Sequence, residues 1–285
     1  MMSVEMARAF YAEEIRVAAN VQSAALLSAL MAVPREDFLG PGPWQFATAN
    51  FGNPGEPVYC ETPDANPCHV YHNVAIALDP FRELNNGQPA TIAACLDILR
   101  LRPGETFVHV GCGTGYYTAL GAAMVGSSGR VVALEIDKTL AEQAARNLLR
   151  FDRCIVEPVD GATYRPGPYD AMLVNAGFTH PLDHWLDSLN DGGRLLLPIT
   201  VGDPERKTGT GAMLLIVRNG DEFRAEHSMP IAIFTSPSGR DERLNGEIGR
   251  AFSDGRWFRV ARVRRDRHTK ADTCCIHADG ICLST

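Results

Sequence analysis

The chain has 285 residues, 45% hydrophobic and 21% charged, enough to bury one substantial core with decorations or two modest ones. Its 27 Lys and Arg against 34 Asp and Glu leave a formal charge of −7, which argues against a general affinity for phosphate backbones and so against nucleic acid as a partner. No apolar run approaches the roughly 20 residues that span a bilayer, and Glu5, Arg8, Glu13, Glu14 and Arg16 stand where a secretory leader is apolar, so a cytoplasmic protein with no membrane partner is expected.

Residues 3 to 32 predict a helical segment with an apolar side of Phe10, Ile15, Val17, Val21, Leu26, Leu27, Leu30 and Met31, stopped by Pro34. Residues 40 to 89 are dense in Gly, Pro and Asn and predict a long irregular loop with one short strand at Val74 to Leu78. Loops of that length in compact enzymes usually shape a site. From 90 to 218 the pattern alternates: helix 90–100, strand 106–110, helix Thr118 to Met124, strand 130–135, helix 138–150, strands near 154–158 and 170–174, helix 181–189, strand 193–198. Met213 to Val217 and Phe223 to Phe234 predict an antiparallel finish, followed by a short helix at 241–252 and a strand-like Phe258 to Val263. The expected fold class is α/β: a Rossmann-like, mostly parallel, doubly wound sheet with its ligand crevice at the carboxyl ends of the strands. Three regions are expected: 1–89 with the N-terminal helices and a substrate-site loop, 90–235 as the cofactor-binding core, and 236–285 as a C-terminal extension.

The run Val108 to Tyr117 ends an apolar strand in a G-x-G-x-G turn, and Val131 to Asp137 ends a second apolar strand in an acid. Glycines admit a ligand close to the backbone, and an acid at the second strand end accepts from ribose hydroxyls. Glu135 follows Gly111 by 24 positions, near the roughly 20 expected between the two strand ends. A dinucleotide site reads G-x-G-x-x-G and sets a pyrophosphate on the helix N-terminus. Here the third glycine comes one residue early and two tyrosines follow, which suits S-adenosylmethionine, a ligand without phosphate. The third strand ends in Asp160-Gly161, where a carboxylate can accept from the adenine amino group, and the fourth in Asn175, a small polar residue expected to face the crevice. His109 reads as a packed, hydrogen-bonded residue without a catalytic role.

From about residue 28 to 240 the chain resembles the protein-L-isoaspartate O-methyltransferase family. The likeness rests on Val33-Pro34-Arg35-Glu36-Asp37-Phe38, Gly87-Gln88-Pro89, Gly111 to Tyr117, Leu134-Glu135-Ile136-Asp137, Asp160-Gly161, and Tyr169-Asp170 through Gly192-Gly193-Arg194-Leu195 to Pro198. The resemblance implies a class I methyltransferase fold, S-adenosylmethionine as donor with S-adenosylhomocysteine as product, and a protein or peptide carboxylate as acceptor. Carried over by position, Gly111, Gly113, Thr114, Gly115 and Tyr116 pass the methionine portion, Glu135 binds the ribose, Asp160 and Gly161 the adenine, and Asn175 takes a place near the cofactor where the family usually has threonine. The family also has a serine before Gln-Pro, where this chain has Gly87.

A carboxylate with a pKa near roughly 4 is ionised at neutral pH and needs no general base to attack a sulfonium methyl, so the lost hydroxyl weakens positioning without removing the chemistry. Gly87 is expected to leave room for a bulkier acceptor, with Asn86 or Gln88 donating the replacement hydrogen bond, and these three form the expected acceptor site. Other readings stay open: a small-molecule acceptor beneath the 40–89 loop, or a domain that binds the cofactor or its product without catalysis.

Of the eight cysteines, Cys60, Cys68, Cys95, Cys112 and Cys154 are scattered and read as reduced thiols. The tail gathers His268, Cys274, Cys275, His277 and Cys282 within 15 residues but lacks a C-x-x-C pair, so no metal site is expected there. The basic run Arg256 to Lys270 reads as a solvated strand face.

Overall fold

The computed structural model of the protein describes residues 2–48, 58–202, 207–278 and 280–285. The helices are α1 (Val4–Ala18), α2 (Ala24–Ala32), α3 (Pro89–Leu99), α4 (Tyr116–Val125), α5 (Lys138–Asn147), α6 (Asp183–Ser188) and α7 (Asn245–Ser253). The strands are β1 (Gln45–Thr48), β2 (Val58–Glu61), β3 (Ala77–Asp79), β4 (Leu84–Asn85), β5 (Thr106–Val110), β6 (Arg130–Leu134), β7 (Cys154–Glu157), β8 (Tyr169–Val174), β9 (Leu189–Gly202), β10 (Thr208–Asn219), β11 (Glu222–Phe234), β12 (Arg262–Arg264), β13 (Cys274–Ala278) and β14 (Ile281–Ser284). One ten-stranded sheet runs in the order β13-β14-β12-β11-β10-β9-β8-β5-β6-β7. Two compact units share the chain: the first takes residues 1–104, 112–131 and 137–156, the second 105–111, 132–136 and 157–285.

In the first unit, the single helical run expected over 3–32 is two helices. Ser3 caps α1 by accepting from Met6 N, and the helix ends where Asn20 turns left-handed at φ +50°. Ser23 then caps α2 by accepting from Leu26 N, while its own N–H donates to Asp97 Oδ1 at 2.8 Å near the end of α3. The expected loop is also more ordered than its composition suggests. Its residues 49–57 lie outside the described residues, but β1 pairs antiparallel with β2 and β3 with β4. The strand expected at Val74 to Leu78 lies instead at Ala77–Asp79, with Ile76 bridging to Phe46. Strands of two to four residues are too short to show alternation in the sequence.

The resemblance motif near residue 35 organises this unit. Arg35 is fully buried and donates from Nη1 to Val70 O at 2.6 Å and His72 O at 2.9 Å, and from Nη2 to Val74 O at 2.8 Å. Its guanidinium also lies 5.5 Å from the Tyr11 ring centre. Tyr71 donates its hydroxyl to Glu36 and receives Arg8 Nε at 2.8 Å. The segment 70–74 is therefore pinned by side chains and not by a ladder.

In the second unit, β5, β8 and the first half of β9 are parallel, and β9, β10 and β11 form a long antiparallel meander. Asp170 ties the strand starts together, accepting from Thr106 N and from Asn190 Nδ2, both at 2.8 Å. Arg194 grips Glu105 through two 2.8 Å bonds in fork geometry. The core here gathers Met172, Val174, Leu195, Leu197, Trp185 and Trp257.

Three expectations for the tail are corrected. The 241–252 helix begins as a 3-10 turn at Glu242–Leu244 before α7. The strand expected from Phe258 is a 3-10 turn, Arg256–Arg259, because Trp257 rather than Phe258 is buried, and pairing starts at Arg262. Beyond it β13 and β14 form a hairpin in which β14 pairs with β12 and β13 is the edge strand of the sheet. The basic run lies largely exposed and forms ion pairs, Arg264 with Asp266 and Arg265 with Asp183 and Asp187.

Candidate functional site

The glycine turn opens α4 in the first unit. Gly113 and Gly115 have φ of +56° and +96°, conformations that a side chain disfavours. At Gly115 there is also no space, since a Cβ would come 2.9 Å from Leu148 Cδ1. Asn147 Nδ2 donates to Thr114 O at 2.9 Å and steadies the turn from the end of α5. The Tyr116 side chain is buried, with its ring edge-on to Phe38 at 5.6 Å and to Tyr117 at 5.1 Å. Its ring is therefore used in packing, and what it offers a ligand is a backbone N–H in the first turn of α4, where no intrahelical acceptor exists.

The acceptor residues lie in the same unit. Asn86 is held in register with Ile76, donating from its N to Ile76 O at 2.9 Å and accepting on Oδ1 from Ile76 N at 2.8 Å. This fixes the orientation of the amide and leaves Asn86 Nδ2 buried with no acceptor among the described residues. Gly87 has φ +80°, donates to Asn85 Oδ1 at 2.9 Å and accepts from the Tyr117 hydroxyl at 3.2 Å. A Cβ there would lie 3.3 Å from Ile92 Cγ1 and 3.8 Å from Tyr117 Cε2. The room expected for a bulkier acceptor is thus filled in the direction a side chain would take. Gln88 is also committed, because its Nε2 donates to Asn73 O at 2.5 Å and to Asn73 Oδ1 at 3.1 Å. Asn73 was not visible as a functional residue in the sequence. Its Oδ1 accepts from Ala90 N at 2.9 Å and caps α3, where the N-cap residue Gln88 makes no side-chain cap bond of its own.

In the second unit, Gly111 follows β5 with φ +73°, its N–H donating to Leu134 O at 2.8 Å. A Cβ there would press on Asn175 O at 3.1 Å. Asn175 was expected to face the crevice, but its Nδ2 bonds His109 Nε2 at 2.8 Å. Burial pushes the His109 imidazole down to about 3, so it is neutral and accepts this bond on Nε2. The packed, noncatalytic reading of His109 fits this contact and its stacking on Phe107 at 5.9 Å.

Glu135 is 7% exposed at the end of β6, its N–H donating to Glu157 O at 3.2 Å. Asp160 closes its own turn by accepting from Ala162 N at 2.9 Å on Oδ1, and takes the Ser238 hydroxyl on Oδ2. An ionised carboxylate has about four acceptor positions, so capacity for an amino group remains. Gly161 has to be glycine, since a Cβ would fall 2.3 Å from Val110 Cγ1, and its carbonyl receives Trp185 Nε1 at 3.2 Å.

The segment 236–241 was missed by sequence reasoning, where Ser-Pro-Ser-Gly reads only as a turn. Besides Ser238, it supplies Arg240, whose buried Nη1 donates to Gly177 O at 2.9 Å and to Thr200 Oγ1 at 3.1 Å. Asp241 N donates to Thr179 Oγ1 at 2.9 Å. These bonds clasp the segment over the turns that follow β7 and β8.

A buried acid at one strand end, a second with spare acceptor capacity at the next, and a turn that only glycines can form suit an adenosine-bearing ligand. The family model for protein-L-isoaspartate(D-aspartate) O-methyltransferase matches residues 62–232. The chain is 29% identical over 208 residues to the protein-L-isoaspartate O-methyltransferase of Vibrio atlanticus, covering 72% of this chain and 83% of that one. It is 37% identical over 115 residues to protein-L-isoaspartate O-methyltransferase 1 of Archaeoglobus fulgidus, covering 39% and 53%. A solved protein-L-isoaspartate O-methyltransferase superimposes with a TM-score of 0.61 at 21% identity, over 84% of this chain and 69% of that one. A Plasmodium falciparum structure so described, holding S-adenosyl-L-homocysteine, gives 0.61 at 16% identity over 80% and 97%. These two share the Rossmann-like α/β fold. With the family model spanning more than half of its length, the chain belongs to the protein-L-isoaspartate(D-aspartate) O-methyltransferase family.

Proposed function

We propose a division of labour for this S-adenosylmethionine-dependent carboxyl O-methyltransferase. In the first unit, the turn Gly113-Thr114-Gly115 and the Tyr116 N–H would hold the methionine portion. In the second unit, Gly111 would leave the end of β5 open to the ligand, Glu135 would accept from the ribose hydroxyls, and Asp160 with Gly161 would receive the adenine. Asn175 would act through the shape of the β8 end rather than by direct contact, since its amide serves His109. When bound, the cofactor supplies an electrophilic methyl group on a sulfonium. The chain's own contribution is to hold an already ionised carboxylate in line, which can supply several kcal/mol without a general base.

The observation that supports an oxyanion acceptor is Asn86 Nδ2, a buried donor with no acceptor among the described residues, oriented by two bonds to Ile76. A carboxylate oxygen of a protein or peptide substrate would satisfy it. Gly87 would set the backbone path beside it, and Gln88 would hold the loop at Asn73. The eight cysteines are all free, which suits a reducing, cytoplasmic location. No helix among the described residues is long and apolar enough to cross a membrane.

Asn86→Asp tests the assignment because it keeps an acceptor facing Ile76 while replacing the donor with a carboxylate oxygen, which cannot donate and whose charge opposes an anionic acceptor. A hydrogen bond to a charged group contributes about 1.5–3 kcal/mol, so kcat/KM for the acceptor should fall about 10- to 150-fold while KM for the donor stays unchanged. An unchanged acceptor kcat/KM would remove Asn86 from the site.

A further inference from the structure

The C-terminal extension carries a second constellation, remote in role from methyl transfer. His268, Cys274, His277 and Cys282 each offer one ligand atom, and all four atoms lie within 4.8 Å of one another. The tail has no C-x-x-C pair, and Cys274 and His277, three apart on one strand, should point to opposite faces. A β-bulge changes this. Cys274 pairs with Ser284, Ile276 with Leu283 and His277 with Cys282, so Cys275 is the extra residue. Because cross-strand partners share a face and Ser284 and Cys282 are two apart, the bulge puts Cys274, His277 and Cys282 on one face of the hairpin. Cys275 leaves the group, its thiol meeting Arg256 O at 3.3 Å. Adjacent Cys274 and Cys275 therefore do not compete for one ion.

The surroundings are arranged as a coordinating set needs. Cys274 and Cys282 are each 1% exposed. His268 places Nδ1 2.8 Å from Asp266 O, which accepts its proton and leaves the Nε2 lone pair facing Cys274 Sγ at 3.5 Å. That is the outer bond which fixes tautomer and ring plane in metal-bound histidines. The His268 and His277 rings stand edge to face at 4.8 Å, and His277 Nδ1 is buried with no hydrogen-bond partner among the described residues. Ala271 N donates to Cys274 Sγ at 3.3 Å, an N–H···S contact suited to a thiolate. Around a tetrahedral ion with bonds of about 2.0–2.3 Å, neighbouring ligand atoms sit roughly 3.3–3.8 Å apart, a contraction of at most about 1.5 Å from the widest separation here.

We propose that these four residues form a structural zinc site. Two thiolates and two imidazoles complete a tetrahedral shell with no open position, the pattern of a structural rather than a catalytic centre. Binding releases the two thiol protons to solvent, and the ion fastens the loop carrying His268 to the β13–β14 hairpin.

Cobalt substitution of the full-length, untagged protein under reducing conditions tests the site without depending on a variant. One equivalent of Co²⁺ should saturate intense visible bands of a tetrahedral ion together with near-ultraviolet thiolate-to-metal charge transfer, and Zn²⁺ should abolish both. Cys282→Ser should diminish the charge-transfer band and weaken binding on the order of tenfold or more, whereas Cys275→Ser should leave the spectrum unchanged. A pale octahedral spectrum, an unchanged spectrum in Cys282→Ser, or a Cys274–Cys282 disulfide in protein kept under reductant would overturn the proposal.

Discussion

Placing a hydroxyl before Gln-Pro, by Gly87→Ser, should weaken this protein rather than improve it. The left-handed φ of +80° costs a residue with a Cβ about 1–2 kcal/mol. The added Cβ also stands 3.3 Å from Ile92 Cγ1, where α3 must yield by a few tenths of an ångström, adding up to about 1 kcal/mol. The total is about 2 kcal/mol, which for a chain of this size corresponds to a fall in Tm of about 4–8 °C. Gly87→Ala carries the same strain without the hydroxyl and should melt within a degree or two of Gly87→Ser. Thermal melts of the three proteins, followed by kcat/KM for one acceptor, make the comparison. A Gly87→Ser protein that melts no lower than wild type, or turns over faster, would refute the reasoning, because it would mean the loop accepts a hydroxyl that the Ile92 contact should oppose.

Two further outcomes follow from the second unit. His109 is held neutral by burial down to about 3, so below about pH 6.5 the unfolded chain takes up a proton that the folded chain refuses, and stability falls as pH drops towards 3. Between pH 8 and pH 5 this group alone should cost about 2 kcal/mol. Urea unfolding should therefore show a loss in wild type exceeding that in His109→Gln by about that amount, and equal losses would contradict the assignment. Glu135→Gln should raise the calorimetric Kd for S-adenosylhomocysteine about 10- to 100-fold, since a charged acceptor becomes a neutral one. An unchanged Kd would move the ribose elsewhere.

Local physics was legible in the sequence, and long-range physics was not. The β5 turn could be read because a strand, three glycines in left-handed conformations and a helix start are consecutive residues with one explanation. Glu135 and Asp160 could be placed because each ends an apolar run. Asn175 stands half-buried after β8, and its amide Nδ2 reaches His109, which lies two residues before Gly111 on the neighbouring strand and offers a buried acceptor. Asn73, Ser238 and Arg240 work through partners 15 to 78 positions away, and nothing in their own neighbourhoods marks them. The tail hairpin escaped for another reason: the bulge at Cys275 interrupts the alternation by which a strand is recognised. The helix break near residue 20 had visible signals in Asn20 and Ser23, which the apolar side running through them obscured.

The central claim is that this chain moves a methyl group from S-adenosylmethionine to a carboxylate. Incubation with methyl-labelled donor and an isoaspartyl peptide, its aspartyl twin and a panel of carboxyl-bearing peptides measures it directly. The account predicts label that enters a peptide and leaves as methanol on mild base treatment, the signature of an ester. Label that survives base, or no transfer to any carboxylate despite bound cofactor, would contradict it.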